Sequence, residues 1–321
     1  MEIRPHFSRA LLHPKHWLTW IGLGFWRLLV MLPYSVLLKL GRFTGWLMYH
    51  TGKKRRYFAE RNLELCFPEM SAEARNKLLK ENFASSGIAL FETGIAWWWS
   101  ARRFNRLMTF EGLENLENLN GRGALLMALH YTTLEMGAAG INSKACVDGM
   151  YRPNNNPVFD YVQRKGREKR GQRSRAYPRR DLRGVLKALR QGRVLWYAPD
   201  QDYGRNQSIF VPFFGVEAAT VVATSRLAGK GNAAVLPFTH HRKPDGSGYL
   251  IKVHPPLENF PTGDERNDTL RVNQLVEQFV RECPEQYLWV HRRFKTRPEG
   301  EPSLYSVEKR RRSRRKRRKG A

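Results

Sequence analysis

The chain has few cysteines for its length, and none of them are arranged as pairs. Cys66, Cys146 and Cys283 are the three cysteines among 321 residues, and no Cys-x-x-Cys motif occurs. This spacing excludes a dense disulfide framework and a cysteine-rich zinc site, and it favours a reducing compartment.

Acidic residues are also scarce. The chain contains 29 Asp and Glu against 56 Lys and Arg, which gives a net charge of +27. Such an imbalance predicts an anionic partner: nucleic acid, phosphorylated lipid or an acidic carrier protein. No recognisable nucleic-acid-binding motif accompanies the charge, so we expect no nucleic acid among the partners.

Long apolar runs are absent except in residues 17–40, which read WLTWIGLGFWRLLVMLPYSVLLKL. This length could cross a hydrocarbon core of roughly 30 Å as one helix. No small-residue cleavage site follows, so we interpret the run as a retained membrane anchor; an interfacial helix or a buried globular helix is the alternative. The basic cluster at residues 53–56 then places the C-terminal part of the chain in the cytoplasm by the positive-inside rule.

The remainder of the sequence alternates between helix and strand patterns. Residues 57–100 show mostly helical spacing and end in Trp97-Trp98-Trp99, of which at least one should lie at a surface. Strands are predicted at residues 107–110, 124–129, 146–151, 194–198, 234–239 and 249–253. Helices are predicted from residue 135 and at residues 157–167, 182–189, 220–227 and 268–281. The alternation predicts an α/β fold whose mixed, largely parallel sheet is flanked by helices.

We divide the chain accordingly into an N-terminal flank (1–16), the anchor helix (17–40), a helical segment (41–106), an α/β domain (107–305) and a basic tail (306–321). The tail has ten cations between residues 309 and 319, so the remaining chain carries +17. A segment with this composition has no apolar side chains to bury and should be disordered.

One predicted strand ends in candidate catalytic residues. The apolar residues 124–129 are followed by His130 and, five residues later, by Glu135. Ligands of parallel sheets bind beyond the carboxyl ends of the strands, which is where His130 lies. Glu135 could orient the imidazole, so that His130 acts as a general base. The alternative is a capping box in which Thr132 is the N-cap and Glu135 reaches back to it.

Further candidates follow other predicted strands. Arg152 follows one strand and would point into the same crevice as His130, although it could also be a solvated loop arginine. Asp200 lies just past another strand, where an acid can orient a cationic partner or accept from a substrate hydroxyl. Residues 164–183 add ten cations in a stretch that we interpret as a binding surface for an anionic partner.

Several longer blocks resemble the secondary (late) acyltransferases of lipid A biosynthesis, specifically the lauroyl and palmitoleoyl branch of the H-x4-D/E acyltransferase superfamily. The blocks lie at residues 7–9, 12–14, 17–20, 62–68, 130–135, 151–153, 196–204, 211–215, 284–289 and 291–298.

The resemblance implies a glycerolipid-acyltransferase-like fold, an acyl-carrier protein as acyl donor and a Kdo-bearing tetra-acylated lipid A precursor (Kdo2-lipid IVA) as acceptor. It implies catalysis by His130 and Glu135, with Arg167 and Asp200 also important for activity. Arg152 is our candidate for oxyanion or phosphate contact.

No metal or cofactor is implied, and the site should face the cytoplasm at the inner membrane, in contact with its lipid. We expect a chain of twelve to sixteen carbons, with lauroyl first. The competing hypothesis is a non-enzymatic basic membrane protein that binds anionic lipid or nucleic acid.

Overall fold

The structure is a computed structural model that describes residues 7–171, 174–178 and 181–305. The predicted disordered tail (306–321) and three cations of the basic stretch, Arg173, Arg179 and Arg180, lie outside the described residues.

The described part of the chain begins with a helical region. Its helices are α1 (Trp17–Leu29), α2 (Tyr34–Thr51), α3 (Lys53–Cys66), α4 (Ala72–Trp98) and α5 (Ala101–Asn105).

The predicted single helix over residues 17–40 is wrong, because α1 ends at Leu29 and α2 begins at Tyr34. Pro33 is the N-cap of α2 and has an extended backbone. Proline lacks the N–H that a continuing helix requires, and it also disfavours helical geometry in the residue before it. Among the described residues, no helix combines the length and apolar character needed to cross a bilayer.

Helix α2 is part of the folded body because it packs closely on α4 through glycines. A Cβ atom added to Gly45 would lie 2.2 Å from the Phe83 carbonyl oxygen, and one added to Gly87 would lie 2.2 Å from the Gly41 carbonyl oxygen. Only glycine permits this backbone approach. The second half of the apolar run therefore serves helix packing.

The described residues form a seven-stranded sheet and a separate hairpin. The sheet strands are β1 (Met108–Glu111), β2 (Ala124–Met127), β3 (Val147–Tyr151), β4 (Ala176–Pro178), β5 (Val194–Tyr197), β8 (Ala234–Arg242) and β9 (Tyr249–Val253), and the hairpin strands are β6 (Ser208–Phe213) and β7 (Val216–Val221). The order across the sheet is β1-β9-β8-β2-β5-β3-β4. Neighbours run parallel except for β8 and β9, which are antiparallel.

Helices cover both faces of this sheet. They are α6 (Glu114–Glu117), α7 (Leu134–Asn142), α8 (Pro157–Glu168), α9 (Leu182–Arg190), α10 (Ala223–Gly231) and α11 (Glu265–Glu282). Alternate β2 residues point to opposite sides: Leu126 joins a core with α4 and α7 residues, whereas Leu125 joins one with α9 and α10 residues. The predicted α/β class with a mixed, largely parallel sheet is confirmed.

The sequence prediction missed β4 and the hairpin. It also placed a helix over residues 220–227, but Thr220 and Val221 belong to β7 and α10 begins at Ala223. Short apolar runs do not distinguish strand from helix by periodicity, which explains this error.

Candidate active site

His130 lies in the turn between β2 and α7, at the carboxyl end of the central strands. The segment 284–289 braces this turn: Leu288 N–H donates to the His130 carbonyl at 3.0 Å, and Thr132 N–H donates to the Gln286 carbonyl at 2.7 Å. Two asparagines of the helical region hold that segment in turn. Asn82 Nδ2 donates to the Tyr287 carbonyl at 2.7 Å, and Asn62 Nδ2 donates to the Trp289 carbonyl at 2.7 Å.

Asp200 is the carboxylate that orients His130. Asp200 Oδ1 lies 2.6 Å from His130 Nδ1, and its Oδ2 accepts the His130 backbone N–H at 2.9 Å. The residues approach because Asp200 follows β5, the parallel neighbour of β2. The prediction that Glu135 holds the imidazole is therefore wrong. With Nδ1 engaged by a carboxylate, the neutral imidazole carries its proton on Nδ1 and leaves Nε2 as the basic nitrogen.

The two groups stabilise each other's charged forms. Burial by itself would lower the pKa of His130, but the charge and hydrogen bond of Asp200 outweigh burial and raise that pKa above its ordinary value. Burial likewise would raise the pKa of Asp200, whose side chain is only 1% exposed, but His130 holds that pKa below its usual range. The site thus favours an imidazolium when a proton arrives.

Glu135 has different partners. It accepts a hydrogen bond from Trp97 Nε1 at 2.9 Å and one from Arg167 Nε at 3.2 Å, and Arg167 Nη2 also pairs with it. The capping-box alternative is also wrong: the N-cap of α7 is Thr133, and the Thr132 hydroxyl lies 2.7 Å from that of Ser85.

Gly166 permits the approach that brings Arg167 to Glu135. A Cβ atom at Gly166 would lie 2.3 Å from Trp97 Cγ, so α8 can contact the indole only with glycine there. Trp97 and Trp99 are buried, whereas Trp98 is half-buried with its ring centroid 4.9 Å from that of Trp26. The three adjacent indoles thus pack mainly inward.

A cavity of about 330 Å³ lies between α7, α8 and the sheet. His130, Glu135, Arg167 and Trp196 line it, together with apolar and small side chains of α7, β3 and β4. A cavity of this size with a few convergent polar groups has the form of a ligand site.

Arg152 is not part of this arrangement. It is exposed and is not among the described residues that line the cavity, so its contact with an oxyanion or phosphate stays a prediction. Arg164 lines the cavity instead, with its guanidinium 5.4 Å from the centroid of the Tyr151 ring. Its Nη2 is buried without a hydrogen-bond partner among the described residues. The sequence showed Arg164 only as one cation of a basic stretch.

Other cations of the basic stretch serve the fold. Lys169 Nζ donates to the Trp98 and Trp99 carbonyls at 2.9 and 3.0 Å, and Arg170 Nη2 donates to the Trp99 carbonyl at 2.8 Å. These carbonyls lie at the C-terminal end of α4, where helix carbonyls lack helical partners and cations are favourable. These two cations therefore have a structural role, and the predicted binding surface for an anionic partner stays a prediction.

Asp202 fixes the turn that carries Asp200. Its carboxylate accepts from Thr296 N–H at 2.7 Å and from Gly204 N–H at 2.9 Å, and its own N–H donates to His291 Nε2 at 3.1 Å. Burial lowers the pKa of His291 to about 4, so this histidine is neutral and accepts the bond. The 196–204 and 291–298 blocks of the sequence thus meet beside the site.

Taken together, the His130–Asp200 pair at the strand ends and the adjoining cavity form a site for general-base chemistry on a bound ligand. The family model of the bacterial lipid A biosynthesis acyltransferases matches residues 4–296. The chain therefore belongs to this family and is an acyltransferase of lipid A biosynthesis.

Individual relatives agree with this assignment. The chain is 47% identical over 304 residues to the lipid A biosynthesis lauroyltransferase of Escherichia coli, covering 94% of this chain and 99% of that one. It is 45% identical to the palmitoleoyltransferase of the same organism, covering 93% and 98%. Identity to the E. coli myristoyltransferase is 32%, with 95% of each chain covered.

Proposed function

We propose that this acyltransferase moves a lauroyl-type chain from acyl-carrier protein to the 3-hydroxyl of an acyl chain on Kdo2-lipid IVA. The observation that carries the proposal is the His130–Asp200 pair at the cavity. The higher identity to the lauroyl and palmitoleoyl relatives than to the myristoyl relative supports this branch.

In the proposed mechanism, His130 Nε2 takes the proton from the acceptor hydroxyl while Asp200 stabilises the imidazolium that forms. The hydroxyl oxygen bonds to the thioester carbonyl carbon, and the carbon–sulfur bond then breaks. The departing thiolate takes the proton from the imidazolium, which restores neutral His130. A thiolate leaves readily, so the reaction requires no covalent enzyme intermediate.

Arg167 is proposed to contact an anionic group of a substrate. Its side chain is 40% exposed and lines the cavity, and Glu135 fixes its position. Arginine suits this role because its planar fork of donors matches carboxylate and phosphate groups. Glu135 then acts through Arg167, and both residues remain necessary to the reaction.

We also propose that the enzyme lies on the cytoplasmic face of the inner membrane and is held there by α1. This helix exposes a continuous apolar face in which Leu18 is 82%, Phe25 63% and Leu28 72% exposed. An exposed apolar helix face of this kind suits the membrane interface. On its other side α1 packs on α8, where Leu23 and Val158 share a core cluster, so the lipid surface adjoins the helix that carries Arg167.

The decisive test is transfer by the His130→Ala variant. With acyl-carrier protein thioester and Kdo2-lipid IVA, we expect transfer to fall by at least about 10³-fold, because the general base is lost. Product should be measured by mass spectrometry, with the melting temperature as a control for folding. A folded variant that transfers at the wild-type rate would refute the catalytic proposal.

A further inference from the structure

We propose that the cavity beside His130 holds the donor's acyl chain and measures its length, and that Gly149 and the Asn142–Ser174 contact are the residues that set the limit. This inference rests on the proposed function, since it concerns the donor of that reaction.

The floor of the cavity is a row of residues across three parallel strands. Gly149 of β3 is in register with Trp196 of β5 on one side and with Ala176 of β4 on the other. All three line the cavity. Because residues in register point to the same face of a sheet, the small side chains at two of these positions leave open space beneath α7.

The roof is one face of α7. Leu134, Ala138 and Asn142, each one helical turn apart, line the cavity together with Ala139. Two facing surfaces with small side chains thus enclose a slot. His130 lies at its upper end, where the thioester carbonyl has to sit for the proposed attack.

A polar contact crosses the lower end of the slot. Asn142 Oδ1 accepts from Ser174 Oγ at 2.5 Å and from Val147 N–H at 3.2 Å, which joins the ends of α7, β3 and the segment before β4. Asp148 is buried beside it, accepts from Arg175 N–H at 2.7 Å and pairs with Arg193. A longer alkyl chain would have to break hydrogen bonds here without replacing them, which is unfavourable.

Two independent lengths give the depth of the slot. From Leu134 to Asn142 the helix advances about 12 Å at its usual rise. From Val147 to Tyr151 the strand advances about 13 Å. An extended alkyl chain with bonds of ~1.5 Å advances roughly 1.25 Å per carbon, so twelve carbons span roughly 14 Å and sixteen roughly 19 Å. The carbonyl carbon held at His130 lies before Leu134, so a twelve-carbon chain would end near the polar contact, whereas a sixteen-carbon chain would extend past it.

Gly149 offers a direct test because a side chain there would enter the slot without a clash. A Cβ atom at Gly149 has no described protein atom within 4 Å. Gly149→Val should therefore fold and shorten the slot near its middle. Since each buried methylene is worth roughly fourfold in affinity, the preference for C12 over C8 donors should fall by about two orders of magnitude. Gly229→Val is the matched control: Gly229 is exposed on α10, and its Cβ would meet Pro261 Cγ at 3.4 Å.

The experiment supplies equimolar C8, C12, C14 and C16 acyl-carrier proteins and reads the products by mass spectrometry. Asn142→Ala should shift the chain-length profile toward the longer C14 and C16 donors, opposite to the shift expected for Gly149→Val. If Gly149→Val does not fold, Asn142→Ala tests the proposal by itself. An unchanged chain-length profile in the folded variants would overturn the proposal. Binding of each donor is measured in parallel. Absence of transfer from every donor by the wild type would refute the proposed reaction. The proposed role of the cavity in chain-length selection is tested separately, by how donor binding depends on chain length.

Discussion

The two carboxylates beside His130 act on different partners. Asp200 contacts the imidazole, and Glu135 contacts the Arg167 guanidinium and the Trp97 indole. A carboxylate fixes a tautomer only through direct contact with the ring. Replacing each carboxylate by its amide should therefore produce two different phenotypes.

We predict that Asp200→Asn moves the acidic limb of the pH–rate profile to lower pH. In the wild type the base must be neutral, so the rate falls as pH drops through the raised pKa of His130. Removing the Asp200 charge leaves burial as the main influence, and burial lowers the pKa of a histidine. The maximal rate should also fall by roughly 10²- to 10⁴-fold, because the tautomer is no longer fixed.

Glu135→Gln is the comparison for this experiment. It should lower transfer by disturbing Arg167 while leaving the acidic limb where the wild type has it. The measurement is kcat/KM from pH 5 to 9 for both variants and the wild type. A shift of the acidic limb in Glu135→Gln but not in Asp200→Asn would reverse our assignment of the two carboxylates.

At the scale of elements, the active-site turn depends on a long-range clamp between α4 and the segment 284–289. Asn82 is buried on α4 and donates to the carbonyls of Tyr287 and Glu285 at 2.7 and 2.9 Å. Leu288 of the same segment donates to His130. The helical region therefore holds the turn that carries His130, and it does so through the segment 284–289.

Asn82→Ala should lower the free energy of unfolding by about 2 kcal/mol or more, because two buried carbonyls lose their donor. It should also reduce turnover, since the segment that braces His130 becomes looser. Thermal or denaturant unfolding measures the first effect and the transfer assay the second. Asn76→Ala, at an exposed position of the same helix, is the control and should change stability by less than about 0.5 kcal/mol. Equal stability of the two variants would contradict the clamp.

At the scale of the whole molecule, charge and apolar surface act together. In the proposed membrane location, the excess positive charge would draw the protein toward anionic lipid, and the exposed face of α1 would supply the apolar surface that the interface buries. Because the helix packs on α8, such an attachment would bring the cavity close to a membrane-bound acceptor.

The double variant Leu18→Glu, Leu28→Glu should weaken binding to anionic vesicles by roughly tenfold for each position, since burying one leucine contributes about 1.5–3 kcal/mol. Turnover on detergent-dispersed substrate should persist, because neither side chain lines the cavity. Flotation with vesicles measures binding. Leu182→Glu, at a leucine 49% exposed on α9, is the control, since α9 covers the other face of the sheet. Undiminished vesicle binding of the double variant would exclude α1 as the anchor.

The sequence by itself determined the features that depend on local pattern. Alternating apolar runs defined the α/β class and most central strands, and the bounds of β9 matched at Tyr249–Val253. The run before His130 identified the strand end that carries it. These features depend on residues close together in the sequence, so the local sequence pattern is enough to predict them.

Only the tertiary structure decided which groups meet. Glu135 is five residues from His130, yet the carboxylate that contacts the imidazole is Asp200, seventy residues away, because β2 and β5 are parallel neighbours. Likewise, Gly166 and Trp97 bring Arg167 to Glu135. Pro33 divides an apolar run that is long enough to span a bilayer, and glycines further along α2 pack that helix on α4. Strand order and helix packing depend on contacts throughout the core. The number of residues between two positions in the sequence therefore does not give the distance between them in the fold.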